Sequence, residues 1–145
     1  MHEVRTEIDI AATPARVWKV LTDFPAHSSW NPFVRSIVGS PEKGKQLVVS
    51  IQPEGGRAMT FKPTVLVAEP DKVLRWRGRF LMPGLFDGEH YFELDALGAS
   101  GTRFVHGERF SGLLVSMSRS ALETGTRAGF VAMNKALKTR AEAAD

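Results

Sequence analysis

Hydrophobic and polar residues alternate with a period of two along most of the chain between residues 4 and 112. In the clearest segment Leu74, Trp76, Gly78 and Phe80 alternate with Arg75, Arg77 and Arg79. This alternation is typical of a strand with one buried and one solvated face. It predicts seven strands, at Val4 to Ile10, Val34 to Val38, Lys45 to Gln52, Ala58 to Ala68, Leu74 to Phe80, Gly88 to Leu97 and Thr102 to Gly112.

Two short helices are predicted after the first strand. Thr13 is a good N-cap, and Pro14 occupies the first helical position, where its missing N–H costs nothing. A second short helix or turn fits Ala26 to Trp30, stopped by Asn31 and Pro32.

After Gly112 the hydrophobic period becomes helical. A proline-free stretch from about Leu113 to Ala144 predicts one helix of roughly 25–30 residues. Its apolar stripe consists of Leu122, Thr126, Gly129, Phe130, Met133 and Leu137. Gly125 and Gly129 weaken the helix locally, a loss that is usually tolerated where another group must approach closely.

This order of elements predicts an α+β fold. The strands are joined by short links, so the sheet should be antiparallel. Its apolar face has to be covered, and the C-terminal helix is the one element long enough. A strongly curved sheet wrapped round one helix is expected to leave a cavity between them.

Composition narrows the possible partners. The chain has 145 residues, enough for one domain over residues 1–145, and no cysteine, which excludes disulfides and thiolate chemistry. Its net charge of +3 comes from scattered basic residues, so we expect no nucleic-acid partner.

We expect no membrane insertion, since no apolar run approaches the length of a membrane span. A cytoplasmic location is expected because the first residues lack a signal-peptide pattern, and no cofactor is expected because phosphate and dinucleotide motifs are absent.

Three ionisable residues fall on the inward side of the last two strands. His90 shares its side with Phe92 and Leu94, while His106 and Glu108 share theirs with aromatic residues. If Ala96 pairs with Thr102, His90 lies opposite Glu108; a shift of two residues puts it opposite His106, and both registers keep the same face. A histidine oriented by a carboxylate suits general acid–base chemistry, so His90 and Glu108 are the candidate catalytic pair.

Other interpretations of these three residues remain open. The pair is equally compatible with a plain structural contact or with a wet position at the mouth of the barrel. His90, His106 and Glu108 are acceptable zinc or iron ligands. No short ligand spacing accompanies them, so no metal site is predicted.

An aromatic wall is predicted for the cavity. The candidate ligand-binding residues are Trp30, Phe61, Trp76, Phe80, Phe92, His106, Phe110, Phe130 and Met133. Such a wall suits a flat or apolar ligand, although any of these residues also fits an ordinary core. The apolar segment Met82 to Phe86 is interpreted as a lid, as a homodimer contact or as part of the core.

The order of elements and several motifs resemble the START-like superfamily called SRPBCC, in its bacterial polyketide cyclase-like branch. The motifs are Ile10 to Trp18 with Leu21-Thr22-Asp23, Trp30-Asn31-Pro32, Gly101 to Phe104, Glu108 to Gly112 and Phe130 to Lys138. The resemblance covers essentially the whole chain and implies a helix-grip fold. It also implies an apolar small molecule, of lipid, polyketide or aromatic type, held between sheet and helix.

Three functions follow, in order of preference. The first is a binding or carrier domain for such a ligand. The second is a cyclase, dehydratase or hydrolase that uses His90 and Glu108. The third is a protein-interaction module, as in chaperone-regulating relatives that share this fold.

Overall fold

In the part of the chain that the structure describes, eight antiparallel strands form two sheets. In chain order they are β1 (His2–Ile10), β2 (Val34–Val38), β3 (Val48–Ile51), β4 (Met59–Phe61), β5 (Thr64–Glu69), β6 (Val73–Phe80), β7 (Phe86–Leu97) and β8 (Gly101–Ser111). The main sheet has the order β1-β8-β7-β6-β5, and the smaller sheet has the order β2-β3-β4. A bridge between Gln46 and Thr64 connects the smaller sheet to β5. This computed structural model describes residues 1–53, 55–80 and 86–143.

The segment expected to form one strand from Ala58 to Ala68 is divided into β4 and β5. Pro63 lies between them, and a proline has no N–H to donate to a sheet ladder. Its carbonyl instead accepts a hydrogen bond from the backbone N–H of Leu47 at 2.8 Å. As a result β4 stays with β3 while β5 pairs with β6, which raises the number of strands from the expected seven to eight.

The helices follow the predicted order. They are α1 (Pro14–Thr22), α2 (His27–Trp30), α3 (Val115–Ala121) and α4 (Arg127–Glu142). The Thr13 side chain accepts a hydrogen bond from the N–H of Arg16 at 3.2 Å, so the predicted cap is confirmed. The long C-terminal helix is also confirmed, but a π-helical turn at Leu122–Thr126, which contains Gly125, divides it into α3 and α4. Among the described residues, no helix is long and apolar enough to cross a membrane.

α4 covers the inner face of the main sheet and completes the α+β helix-grip architecture. Its inward residues Phe130, Met133 and Leu137 are fully buried, as the stripe predicted. They pack against buried side chains of the strands such as Trp76 and Phe92. The core therefore lies between the sheet and the terminal helix.

Gly129 permits a close contact between α4 and the segment before β2. A β-carbon placed there would lie 2.3 Å from Cδ1 of Phe33, so the ring occupies the space that a side chain would take. The phenyl ring of Phe33 also packs edge-on against Phe130, with ring centroids 5.3 Å apart. The expected close approach at this glycine is thus found.

We predict that Gly129→Ala destabilises the protein by about 1–3 kcal/mol, because overpacking outweighs the roughly 1 kcal/mol gain in helix propensity. Urea unfolding measures the change. The exposed Val131→Ala on the same helix is the control and should change stability by less than about 0.5 kcal/mol. Phe33→Leu should remove much of the penalty of Gly129→Ala in the double variant, and a stabilised Gly129→Ala protein would contradict this account.

Candidate functional site

The register of β7 and β8 places the candidate catalytic residues side by side. Ala96 pairs with Thr102, so His90 lies opposite Glu108 and Phe92 lies opposite His106. The first of the two expected registers is therefore the observed one. On the neighbouring strands Trp76 lies opposite His90, and Thr6 lies opposite His106.

Five side chains form a continuous chain of polar contacts, which we call the relay: Glu108, His90, His106, Asn134 and Thr6. Oε1 of Glu108 lies 3.2 Å from Nδ1 of His90, and the two Nε2 atoms of His90 and His106 are 2.7 Å apart. Nδ1 of His106 then lies 2.9 Å from Oδ1 of Asn134. The amide of Asn134 donates to the hydroxyl of Thr6 at 2.9 Å. The relay thus connects β7, β8 and β1 to α4.

Aromatic rings enclose both imidazoles. His106 stacks on Phe130 with ring centroids 4.0 Å apart, and His90 lies 4.8 Å from Phe92 and 5.2 Å from Trp76. His106 has no exposed surface and His90 is 2% exposed, whereas the Glu108 side chain retains 14% exposure. The two ends of the relay, Glu108 and Thr6, are therefore half-buried, and the imidazoles between them are enclosed.

The pKa of His106 lies well below its ordinary value. Burial among the rings is the largest cause, the positive charge of His90 is the second, and the hydrogen bond to Asn134 acts in the opposite direction. His106 is consequently a neutral imidazole at neutral pH.

Gly88 provides the space for the Glu108 carboxylate. A β-carbon at this position would lie 2.3 Å from Oε2 of Glu108. Gly88 lies on β7 opposite Phe110 of β8. Because Gly88 has no side chain, the carboxylate of Glu108 can lie over β7 beside His90.

Most residues of the predicted aromatic wall lie in the same interior. Those that are buried are Trp76, Phe92, His106, Phe110, Phe130 and Met133. Trp30 is half-buried and packs on His27, while Phe61 is half-buried and lies against Gly78 of β6. The side chain of Phe80 and the segment from Leu81 to Leu85, which holds most of the proposed lid, lie outside the described residues.

The space between the sheet and α4 is narrower than the expected cavity. It is a narrow void with no room for a water molecule, because Met133 of α4 interdigitates there with large side chains of β6, β7 and the segment from α1 to β2. It is lined by Leu21, Phe24, His27, Val34, Ile37, Leu74, Trp76, Phe92 and Met133. A wider groove of about 510 Å³ opens to solvent beside Pro14, Asp71 and Glu93, but it contains none of the predicted site residues.

Two indole N–H groups bordering this interior lack hydrogen-bond partners among the described residues. They are Nε1 of Trp76, which lines the void, and Nε1 of Trp30. A buried donor without an acceptor costs roughly 1–3 kcal/mol. Such groups are candidate contacts for an oxygen atom of a ligand.

Asn134, Thr6 and His27 are polar residues of the site that the hydrophobic pattern did not identify. Asn134 lies next to Met133 in the covered face of α4, and Thr6 alternates with the inward residues of β1. A polar side chain at an otherwise apolar position was the available signal in both cases. Their partnership depends on how α4 packs across the sheet, which the pattern alone does not specify.

His27 forms a second buried polar cluster at the edge of the void. Its Nε2 lies 2.7 Å from the carbonyl of Leu21, and its Nδ1 lies 3.1 Å from the amide of Asn31. Oδ1 of Asn31 accepts hydrogen bonds from the N–H groups of Phe33 and Val34, so Asn31 caps the turn that follows α2. Burial lowers the pKa of His27.

The geometry of the imidazoles differs from that of a metal site. Two nitrogen ligands of a tetrahedral zinc ion lie about 3.3 Å apart, whereas the facing Nε2 atoms are at hydrogen-bonding distance, 2.7 Å. Within the described ranges, no group of three or more acidic or histidine side chains is arranged to hold a metal ion.

The fold and this interior define a START-like helix-grip domain. Residues 1–142 match the family model described as polyketide cyclase / dehydrase and lipid transport. The chain therefore belongs to that family. No curated protein sequence matches it.

Solved structures with the same fold include an aromatase/cyclase and a START superfamily protein. The aromatase/cyclase Zhui from Streptomyces sp. R1128 has a TM-score of 0.79 and 19% identity, with 97% of this chain and 93% of that chain covered. A START superfamily protein from Mycobacterium smegmatis has a TM-score of 0.74 and 19% identity, with 98% of each chain covered. The di-domain ARO/CYC BexL has a TM-score of 0.75 and 15% identity, and 99% of this chain covers 51% of it. At these identities the likeness establishes the fold alone.

The two buried imidazoles predict a loss of stability in mild acid. The pKa values of His27 and His106 are lowered in the folded protein, so the unfolded chain binds more protons near the ordinary value of 6.5. The contribution of these two histidines to the free energy of unfolding should be greatest above pH 6.5. Below pH 6.5 the free energy of unfolding should decrease, by up to about 1.4 kcal/mol per pH unit for each imidazole. Urea unfolding between pH 5 and 8 measures this slope.

His27→Gln tests the assignment, because the variant has one fewer imidazole to protonate. Its stability should depend less steeply on pH between 5 and 6.5 than that of the parent protein. Equal stability of the parent protein at pH 8 and pH 5 would contradict the buried neutral state of these histidines.

Proposed function

We propose that this protein binds a flat, apolar small molecule that carries at least one oxygen acceptor, between the main sheet and α4. The observation that carries the proposal is the void at this seam, with aromatic side chains along its wall and the unpartnered indole N–H of Trp76 beside it. Membership of a polyketide cyclase and lipid transport family and the fold shared with an aromatase/cyclase support the same class of ligand.

Binding at this seam requires side chains to move. Because the void cannot hold a water molecule, a ligand has to separate α4 from the sheet or displace a flexible side chain. Met133 is the natural candidate, since its unbranched side chain adapts to irregular shapes and it lines the void from the helix. Aromatic rings on the sheet then provide a flat surface for stacking.

A naphthalene sulfonate fluorescent probe tests this proposal directly. We expect one saturable internal site in the parent protein and several-fold tighter binding in Met133→Ala, because the truncation enlarges the void at the point of entry. Ile37→Phe should weaken binding by filling the same space from β2.

Val49→Ala is the matched control. Val49 is fully buried in the smaller sheet but does not line the void, so the variant loses core volume without changing the seam. Its probe affinity should stay within about twofold of the parent value. Absence of a saturable site in the parent protein, or equal responses of Met133→Ala and Val49→Ala, would contradict the proposal.

A second candidate function is acid–base catalysis on the bound molecule, as in a cyclase or dehydratase. The specific observation in its favour is the 3.2 Å contact between Nδ1 of His90 and Oε1 of Glu108 inside an apolar wall. An imidazole oriented by a carboxylate is able to move protons near neutral pH, and positioned acid–base groups accelerate reactions by about 10²–10⁴-fold.

The catalytic hypothesis predicts that His90→Ala and Glu108→Gln each lower turnover of an aromatic polyketide-type substrate by 10²-fold or more. Glu89→Gln, on the outward face of β7, is the control and should keep the parent rate. Product formation is followed by absorbance of the aromatised ring. Parent-like rates in both His90→Ala and Glu108→Gln would exclude catalysis by this pair.

A further inference from the structure

The hydrogen bonds of the relay determine where its protons are, beginning at Thr6. The hydroxyl of Thr6 lies 2.9 Å from the carbonyl oxygen of His106, which can only accept, so Thr6 donates its single proton there. The same hydroxyl oxygen then accepts from the amide of Asn134 at 2.9 Å. The NH₂ group of Asn134 consequently faces Thr6, and its carbonyl oxygen faces His106.

This orientation of Asn134 fixes the tautomer of His106. Oδ1 of Asn134 is an acceptor, so Nδ1 of His106, 2.9 Å away, carries the proton. The lowered pKa of His106 keeps that imidazole neutral, which leaves its Nε2 without a proton. Nε2 of His90, 2.7 Å away, is therefore the donor in the contact between the two imidazoles.

One proton remains to be placed, between His90 and Glu108. With Nε2 of His90 already protonated, a neutral His90 beside an ionised Glu108 would put two lone pairs 3.2 Å apart. The contact is satisfied when Nδ1 of His90 or Oε1 of Glu108 carries a proton. The pair then holds one more proton than a neutral imidazole and a carboxylate.

We propose that Thr6 and Asn134 are positioning residues: acting through His106, they hold the proton of His90 on Nε2 and leave its Nδ1 to share one further proton with Glu108. This role rests on the catalytic function proposed above. When that further proton moves to an oxygen atom of a substrate, the N–H or O–H bond of the pair breaks and a new O–H bond forms on the substrate. A neutral His90 and a Glu108 carboxylate remain, and this pair accepts a proton in the return step.

The reverse arrangement of the relay is the alternative that the geometry disfavours. With Asn134 turned over, His106 would carry its proton on Nε2 and His90 on Nδ1, and no additional proton would be stored. Thr6 would then donate to Asn134, and two oxygen atoms would face each other at 2.9 Å with no proton between them. The contact between Thr6 and the His106 carbonyl thus decides the direction.

The ionisable residue His2, further along the same face of β1, contacts an ion pair between the π turn and α4. His2 lies 3.0 Å from Glu123 of the π turn, and Glu123 also accepts from Arg127 at 3.0 Å. Val4, opposite Glu108, is apolar and fully buried. No charged residue of β1 lies opposite Glu108, so the proton shared by His90 and Glu108 depends on the contacts of the relay.

Long-range ¹H–¹⁵N spectra of the histidine side chains at pH 7 test the assignment in the full-length protein without ligand. His106 should be the neutral Nδ1–H tautomer, and His90 should carry a proton on Nε2. His27 is the internal comparison, because its bond to the carbonyl of Leu21 requires the opposite, Nε2–H tautomer. The ¹³C shift of the Glu108 carboxyl group and the Nδ1 signal of His90 test whether the pair holds the further proton; an ionised Glu108 beside an unprotonated Nδ1 of His90 would overturn the proposal.

Asn134 variants separate positioning from plain packing. Asn134→Leu keeps the size but removes the acceptor, so His106 should change to the Nε2–H tautomer and His90 should move its proton to Nδ1. Asn134→Asp retains an acceptor and should preserve the Nδ1–H tautomer of His106. Thr6→Ser should behave like the parent protein.

An Nε2–H tautomer of His106 in the parent protein would overturn the proposal, whether or not the variants fold. Unchanged tautomers in a folded Asn134→Leu would overturn it as well. Because these spectra need no ligand, their outcome is independent of the probe-binding experiment. A correct tautomer together with absent probe binding would show that the binding proposal fails while the relay assignment holds.

Discussion

The hydrogen bond between Nδ1 of His106 and Oδ1 of Asn134 joins the C-terminal helix to the main sheet inside an otherwise apolar layer. Both side chains are almost completely buried, so either group would be costly without its partner. Apolar packing tolerates small shifts of a helix along a sheet, whereas this contact is directional. It therefore specifies the position of α4 over β8, and with it the positions of Phe130 and Met133 over the aromatic wall.

The proposed function places two conflicting demands on this interior. A stable core needs dense packing, and the void between α4 and the sheet is correspondingly thin. A ligand needs space, and side chains of α4 such as Met133 have to move to provide it. The π turn between α3 and α4 is a local irregularity in that helix, and π turns of this kind frequently occur at functional sites. The unpartnered indole N–H of Trp76 supplies polarity where a bound molecule would lie.

The sequence predicted the part of the site that depends on strand parity. His90, His106 and Glu108 stay on one face in any register shifted by two residues, and the short link between β7 and β8 selected the observed pairing. The helix stripe likewise predicted Phe130, Met133 and the close approach at Gly129. Each of these predictions needed only local periodicity.

Other features depend on contacts between distant elements and could not be predicted in this way. Asn134 and Thr6 meet only because α4 crosses β1, 128 positions away in the chain. The width of the void depends on how Trp76, Phe92 and Met133 interdigitate, and volume differences of single methylene groups decide such packing. A proline inside a strand pattern such as Pro63 indicates a bulge or an edge. The division into two sheets depends in addition on the hydrogen bond that the Pro63 carbonyl accepts from the N–H of Leu47.

The proposed ligand site lies at the seam between the main sheet and α4. A crystal structure of the protein grown with the naphthalene sulfonate probe is the sharpest test of this site. We expect density for the rings of the probe between Trp76 and a displaced Met133, with an oxygen atom close to Nε1 of Trp76. A seam packed as in the free protein, with the probe confined to the surface, would contradict it.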